Sequence, residues 1–513
     1  MRQSIFGVFA AVFLIGFVPP DAEAQDRPVT AEQVGNAIQA LEKAAQAQID
    51  ENAVPGLAVA VVFEDKVVYA KGFGVKDTGT GEAVDADTVF QIASISKPIG
   101  STVIATLIGE GKIAWDSKIA DLDPDFEMYE PWVTREITLR DLFSHRSGLP
   151  AFAGDLLEDL GFSREEVLHR LRYQHPVTSF RSGYAYTNFG ITAAAVAAAK
   201  AYGLTWEDAI EQKLYAPLGM TSTSSRYADF VARDNRAVGH VRVDGKWVPK
   251  FKRQPDAQAP AGGVSSTVND LAKWMRLQLA KGKFDGKQIV PEAAFAETHV
   301  PQMLTSPTSL SGLPQFYGLG WNVGYSEDGR LKLSHSGGFE LGAGTNVNMS
   351  PSDQLGVVVL TNGSPTGVAE GLTAEFLDLA MYGKATQEWL KLYTGRFAEM
   401  AAAQQGADNS KPPASPSPAA GNDAYLGTYR NDFFGEIAVV EKDGGLAIVQ
   451  GPKNMTFAMR HYDRDAFTYA TEGEMAVGTA GIVFTLGADG KAIRVLVENL
   501  DAGGEGSFVR VSP

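Results

Sequence analysis

Ser94 and Lys97 set the first chemical expectation for this chain, within the stretch Phe90-Gln-Ile-Ala-Ser94-Ile-Ser96-Lys97-Pro98. Three residues along a helix is a rise of about 4.5 Å on nearly one face, which brings a lysine amine within reach of a serine hydroxyl. The backbone N–H of Ser94 would lie among the unpaired donors at the helix start, so one site offers a nucleophile, a base and half an oxyanion hole. A free amine titrates near ~10.4, so Lys97 needs burial or a nearby positive charge to act as a base at neutral pH. The competing reading of the pair is a helix cap followed by an exposed lysine. This is the one S-x-x-K in the chain, yet about one or two would arise by chance at this length. Its company is what gives it weight. Tyr186-Thr187-Asn188 spells Y-x-N, and His335-Ser336-Gly337-Gly338 spells H-x-G with a second glycine. A phenol beside a cationic lysine loses or relays its proton more easily, and a strand edge ending in two glycines lets backbone approach a ligand.

The elements that must position these groups follow from patterning. Pro98 is tolerated only in the first turn of a helix, so a helix should begin close to Ser94 and run to about Leu107. Residues 30–51 have helical spacing, and Leu57–Phe63 and Val67–Phe73 read as a hairpin joined at Glu64-Asp65-Lys66. Helical segments continue through the Ala-rich Ile191–Tyr202 stretch to about Leu214. Four β-rich runs come later, near Tyr317–Val323, Leu331–Ser334, Gly342–Met349 and Leu355–Thr361, before a helix near Val368–Met381. Strands at both ends of a helical region predict one sheet assembled from distant segments, an α+β arrangement.

With S-x-x-K, Y-x-N and H-x-G in that order, the chain resembles the serine β-lactamase and penicillin-binding-protein superfamily. The resemblance is to its class C-like branch of lactamases, esterases and D-aminopeptidases. His145-Arg146-Ser147-Gly148-Leu149-Pro150, Pro260–Thr267 and Tyr317-Gly-Leu-Gly320-Trp321 add to it, and it covers about residues 35–385. It implies an antiparallel sheet flanked by helices with a mostly helical subdomain. It implies Ser94 as the acylated nucleophile, Lys97 as its activator and Tyr186 as a partner in proton transfer. Asn188 would hold the substrate amide or carbonyl, the N–H groups of Ser94 and Gly338 would form the oxyanion hole, and His335, Ser336 and Gly337 would border the substrate. His335 departs from the lysine usual at this position in the lactamases and DD-peptidases. A largely neutral imidazole grips a carboxylated substrate less well, which turns the reading toward the esterases and aminopeptidases. A second Y-x-N, Tyr429-Arg430-Asn431, is read as strand and turn because it lies out of motif order.

The rest of the chain sets boundaries. Arg2, the apolar run Ile5–Val18 and Ala22-Glu23-Ala24 form a signal-peptide pattern over residues 1–24, so the protein is expected to be exported, periplasmic or secreted, without stable membrane insertion. A hydrolase domain over 25–400, a Pro/Ala/Ser-rich linker over 401–421 and a small all-β barrel over 422–513 complete the plan. The last unit, opening at Tyr425-Leu-Gly427-Thr428-Tyr429, resembles the lipocalin-like barrel appended to some members of this family. It would border the active-site mouth or mediate assembly, with ligand binding inside it as the rival.

Composition excludes other classes. The 513 residues include no Cys and carry a formal charge of -16. There is therefore no disulfide, thiol nucleophile or Cys-zinc site, and a nucleic-acid partner is disfavoured. The histidines lack ligand spacing, so no metal and no cofactor is expected. The sequence reads as a serine hydrolase acting through a Ser94 acyl-enzyme on a small ester, or on a peptide or amide next to a D- or small amino acid. A β-lactamase or DD-carboxypeptidase is the alternative, and a penicillin-binding sensor or cell-wall-binding module without turnover is the alternative of another class. The partner is a small-molecule or peptide substrate, and a homo-oligomer is compatible with the same features.

Overall fold

The computed structural model describes residues 28–310, 312–404 and 409–512. The signal-peptide segment and residues 405–408 of the expected linker lie outside the described residues. Helix α1 (Ala31–Asp50) starts where Thr30 and Gln33 form a reciprocal capping box, satisfying two orphan donors at once. Its buried face repeats at helical spacing as Val34, Ala37, Leu41 and Ala45.

Strands β1 (Gly56–Phe63) and β2 (Lys66–Gly74) form the expected hairpin. Every residue of β1 is buried, because both of its faces are covered. Leu57, Val59 and Val61 join α1 in one core, while Ala58, Ala60 and Val62 face the opposite way into a second. That period-two division is why the strand reads as a continuous apolar run.

Six further strands complete the first sheet. They are β3 (Met303–Ser306), β4 (Gln315–Tyr317), β5 (Asn322–Tyr325), β6 (Leu331–Phe339), β7 (Ala343–Ser350) and β8 (Leu355–Thr361). All pairs are antiparallel, in the order β2-β1-β8-β7-β6-β5-β4-β3. Segments far apart in the chain meet at the β1–β8 pair, as the α+β reading requires.

Two sequence runs come out differently. Tyr317–Val323 is not one strand: it breaks between β4 and β5 at Gly320, whose φ is 79°. A side chain there would meet the Lys97 carbonyl at 2.8 Å, so close approach to α2, the helix that carries Lys97, demands glycine. The run beginning at Leu331 does not stop at Ser334 but continues through His335-Ser336-Gly337-Gly338 to Phe339, since its partner β7 holds Gly344 opposite Gly338.

Helices α2 (Ser96–Gly109), α3 (Asn188–Lys200) and α4 (Val268–Leu279) lie on one side of the sheet, with a cluster of short helices around them. Helices α5 (Val368–Tyr382) and α6 (Trp389–Gln404) lie on the other side; α5 shares the core of α1. Nearly the whole surface of α2 is buried, which fits its lack of a polar face.

The C-terminal unit contains nine antiparallel strands in one sheet. They are β9 (Gly427–Asn431), β10 (Gly435–Lys442), β11 (Gly445–Gln450), β12 (Met455–Ala458), β13 (Arg460–Asp463), β14 (Ala466–Ala470), β15 (Thr479–Leu486), β16 (Ala492–Val497) and β17 (Ser507–Ser512). Its two outer strands, β12 and β13, are separated in the chain by Met459 alone, so the sheet nearly closes into the expected small barrel. Aromatic rings pack its interior: Tyr425 lies 5.0 Å from Phe467 and 4.8 Å from Phe484, centroid to centroid. The second Y-x-N is indeed strand and turn. Tyr429 donates to the Tyr425 carbonyl at 2.6 Å, while Asn431 accepts from Phe434 N and donates to the Glu505 carbonyl, both at 2.6 Å.

The barrel is tied to the helical region by polar contacts and by a shared apolar core. Arg170 donates to the carbonyls of Asp432 and Phe433 at 3.0 and 2.9 Å. Asp159 accepts from Met475 N at 2.7 Å, and the Glu474 carboxylate accepts from Glu340 N, at the β6–β7 turn, at 2.6 Å.

The core between α4 and the sheet rests on the indole stack of Trp274 and Trp321, with centroids 5.5 Å apart and planes within 5°. Both rings are fully buried. Trp274→Ala is expected to cost about 3–5 kcal/mol of stability, measured as a lower denaturant midpoint for loss of tryptophan fluorescence.

Candidate active site

The chain enters the site through a distorted turn. Ala93 has a φ of 47°, a left-handed conformation that an L-residue adopts at a cost, and it directly precedes Ser94. A single 3-10 turn, Ala93–Ile95, leads into α2, so the helix begins two residues after Ser94 with Pro98 in its first turn. The turn is held from outside: Ser96 Oγ donates to the Ala93 carbonyl at 2.6 Å and accepts from Val264 N at 3.0 Å.

Lys97 is wholly buried. Its Nζ donates to Ser94 Oγ at 2.9 Å, Asn188 Oδ1 at 2.7 Å and the Ala261 carbonyl at 2.9 Å. Three acceptors match the three N–H bonds of an ammonium, yet burial pushes the amine down from 10.5 to about 7, partly opposed by the Asp155 carboxylate. A neutral amine would keep its bonds to Asn188 and Ala261 and turn its lone pair to Ser94, the geometry a base requires.

Asn188 opens α3 and is engaged at both ends. Its Oδ1 accepts from the Lys97 amine, and its Nδ2 donates to Asp155 Oδ2 at 2.6 Å. These two bonds fix which way the amide points. Burial and the nearby charge of Glu158 push the Asp155 carboxyl up to about 8, and its Oδ1 is buried without a partner.

Tyr186 keeps some surface open to the site. The Lys97 amine sits 4.6 Å from the centre of its ring, and the Ser94 side chain lies close to the phenol. Sequence reasoning expects the lysine charge to ease loss of the phenolic proton. Burial outweighs that effect and holds the phenol well above its ordinary value, because a phenolate here would lose its hydration.

His145 supports this tyrosine. In a left-handed conformation, φ 57°, it accepts from Thr187 N at 3.1 Å through Nδ1 and packs 4.5 Å from the Tyr186 ring, centroid to centroid. That is a structural role.

The third motif closes the site from the sheet. Gly337 faces the Ser94 turn so closely that a side chain would collide with the Ile92 carbonyl and meet Ser94 N at 3.0 Å. Gly338 is exposed, so its backbone is open to a ligand. His335 is buried and spoken for: Nδ1 lies 2.6 Å from the Ser336 carbonyl and must donate to it, which leaves Nε2 to accept from the Tyr317 hydroxyl at 2.9 Å. Burial and the charge of Lys97 push the imidazole down to about 3. His335 therefore offers neither a positive charge nor a free donor. Ser336, its neighbour, points to the far side of the sheet, where Asn346 donates to its Oγ at 3.0 Å.

The expected residues Ser94, Lys97, Tyr186, Asn188, His335, Gly337 and Gly338 thus converge, and only the Ser336 side chain turns away. The sequence reading missed Asp155, whose one signal is an acid among apolar neighbours in Ala153-Gly154-Asp155-Leu156-Leu157. It also missed Arg253, which is buried, pairs with Glu158 at 2.6 Å and reaches Glu474 of the barrel at 3.7 Å. Among the described residues no group of three or more His, Cys, Asp or Glu side chains could hold a metal ion, and no helix is long and apolar enough to cross a membrane.

Comparison with known proteins agrees with this fold. Residues 39–381 match the family model described as Beta-lactamase, and residues 411–506 match a domain of unknown function, DUF3471. An unguisins hydrolase of Aspergillus violaceofuscus is 26% identical over 484 residues, covering 85% of this chain and 84% of that protein. Penicillin-binding protein 4 of Amycolatopsis lactamdurans is 30% identical over 340 residues, covering 64% of this chain and 84% of its own length. In fold, the chain is similar to the octameric penicillin-binding protein homologue from Pyrococcus abyssi, with a TM-score of 0.59, 19% identity and coverage of 92% and 100%. By the extent of the family match, the sheet with its flanking helices and the convergence of the three motifs on Ser94, this chain belongs to the β-lactamase family of serine-hydrolase folds.

Proposed function

We propose that this protein is an exported serine hydrolase that forms an acyl-enzyme at Ser94. Its substrate is a small ester, or a peptide or amide next to a D- or small amino acid. The observation that carries the reading is the Lys97 amine, buried, 2.9 Å from Ser94 Oγ and pushed down to about 7. Neutral Lys97 takes the Ser94 proton as Oγ attacks the carbonyl carbon. The N–H groups of Ser94 and Gly338 receive the negative charge that develops on the carbonyl oxygen. The proton then passes through Tyr186, kept as a neutral phenol by burial, to the leaving oxygen or nitrogen as its bond to carbon breaks. Water attacks the acyl-enzyme next, its proton passing by the same relay to Ser94 Oγ as the bond from Oγ to the acyl carbon breaks, and the acid leaves with Lys97 neutral again. Asn188, fixed by Lys97 and Asp155, orients the amine first and lines the acyl pocket second.

The neutral, fully bonded His335 supports esters and uncharged acyl groups over β-lactams, whose carboxylate needs a cation at this strand. The fungal relative, by its name, hydrolyses unguisins; a hydrolytic activity for the present chain is in keeping with that.

Ser94→Ala is expected to lower turnover of p-nitrophenyl esters and D-aminoacyl anilides by about 10⁴-fold or more. Parent-level activity in that variant toward every ester and amide would sink the proposal. In a side-by-side panel a chromogenic cephalosporin should turn over far more slowly than the best ester. Lasting covalent labelling of Ser94 by a β-lactam, seen by mass spectrometry without ester turnover, would point to a sensor instead.

The pH profile gives a second check. A base that must be neutral places the acid limb of kcat/KM near 7, with activity rising as pH increases through it. The Asp155 carboxylate favours the charged amine, but with its carboxyl pushed up to about 8 it is mostly protonated at that limb, so Asp155→Asn, which keeps an acceptor for Asn188 Nδ2, should move the limb to lower pH only slightly. Asp155→Ala leaves that buried donor unpaired, a loss of about 1–3 kcal/mol, and should lower the plateau rate as well.

A further inference from the structure

The far face of the sheet is divided in a way that packing alone does not account for. Behind β1 and β8 it presents Leu57, Val59, Val61, Val357 and Val359 to α1 and α5, and the interface is apolar. Behind β5, β6 and β7 the same face presents a polar ladder. Asn322 pairs with Ser334 and Ser334 with Asn348, while one step along Ser336 pairs with Asn346. Polar side chains under a helical layer cost free energy unless they are bonded. Here they floor a cavity of about 240 Å³ that α5 and α6 roof with Glu370, Trp389 and Tyr393.

We propose that this cavity is a second small-molecule site, for a neutral, polyhydroxylated ring of monosaccharide size. Amides and hydroxyls on a rigid sheet supply paired donors and acceptors at fixed spacing, which suits adjacent hydroxyl groups. The indole and phenol rings of α6 give the apolar face of such a ring a surface to lie on. Charge does not select an ion. Lys332 lines the same cavity as Glu370 and Asp378, and the latter is already held by Trp389 Nε1 at 2.6 Å and Thr386 N at 2.9 Å. Glu370 is buried and pushed up to about 7, so its carboxyl can either donate to or accept from a hydroxyl near neutrality. The volume lies just below the usual range for drug-sized ligands, which fits one ring.

The floor is held in place before any ligand arrives: Asn346 Oδ1 accepts from Thr373 at 2.6 Å, leaving its Nδ2 on Ser336. Ser336 lies between His335 and Gly337, so the cavity and the candidate active site share one strand and use its opposite faces.

Isothermal titration of the full-length protein with glucose and with N-acetylglucosamine tests the proposal, with cyclohexanol as a ring lacking the hydroxyl array. Saturable millimolar binding of at least one sugar, with no binding of cyclohexanol, is expected. Ala374→Trp fills the cavity from α5 and Asn346→Ala removes a floor amide; each should weaken sugar binding at least tenfold. Retained ester hydrolysis by Ala374→Trp shows that the variant is folded. Absence of saturable sugar binding by the parent, or binding unchanged in both variants, overturns the assignment.

Discussion

Burial of a single amine is the constraint on which the rest of the site depends. An ammonium enclosed by protein loses its hydration, and the loss is tolerable only if protein acceptors replace water or the amine gives up its proton. Lys97 has both. Ser94, Asn188 and Ala261 surround it, and its affinity for the proton falls to about the pH of neutral water. Because the acceptors come from the turn before α2, from α3 and from the segment before α4, the three helices must meet at one point. The near-complete burial of α2 and α3 follows from that meeting.

The sheet reaches the same point through its glycines. Gly337 lets β6 lie against the turn of Ser94, and Gly320 lets the β4–β5 connection touch the Lys97 backbone. Any larger residue at Gly337 would push the strand away from the Ser94 turn. His335, one pleat away, is consumed in holding Tyr317 and its own strand. It is a packing residue and presents no positive charge to the site.

One short helix, Asp155–Asp159, links this centre to the C-terminal barrel. Asp155 bonds Asn188, Glu158 bonds Arg253, and Asp159 accepts from the backbone of the barrel loop at Met475. Arg253 in turn lies over the Phe339 ring at the end of β6, and Glu474 caps the turn that follows. The barrel is thus placed at the rim of the candidate site by continuous polar contacts, while its own interior is packed with aromatic rings.

Much of this was legible in the chain itself. Period-two and helical spacing marked the hairpin, the helix at residues 30–51 and the α+β order, because local patterning reflects which face each element buries. Three short motifs located Ser94, Lys97, Tyr186, Asn188 and the glycine strand. Other features depend on residues far apart in sequence. The break at Gly320 and the extension of β6 through two glycines are set by neighbours across the sheet. Asp155, Arg253 and Glu474 carry no decisive local signal, since their meaning lies in partners tens to hundreds of residues away. The same holds for protonation. The sequence alone determined which groups could exchange protons, but only the tertiary structure decided that Lys97 releases its proton near neutrality while Tyr186 keeps its own. Burial sets those values, and burial is a property of the packed fold.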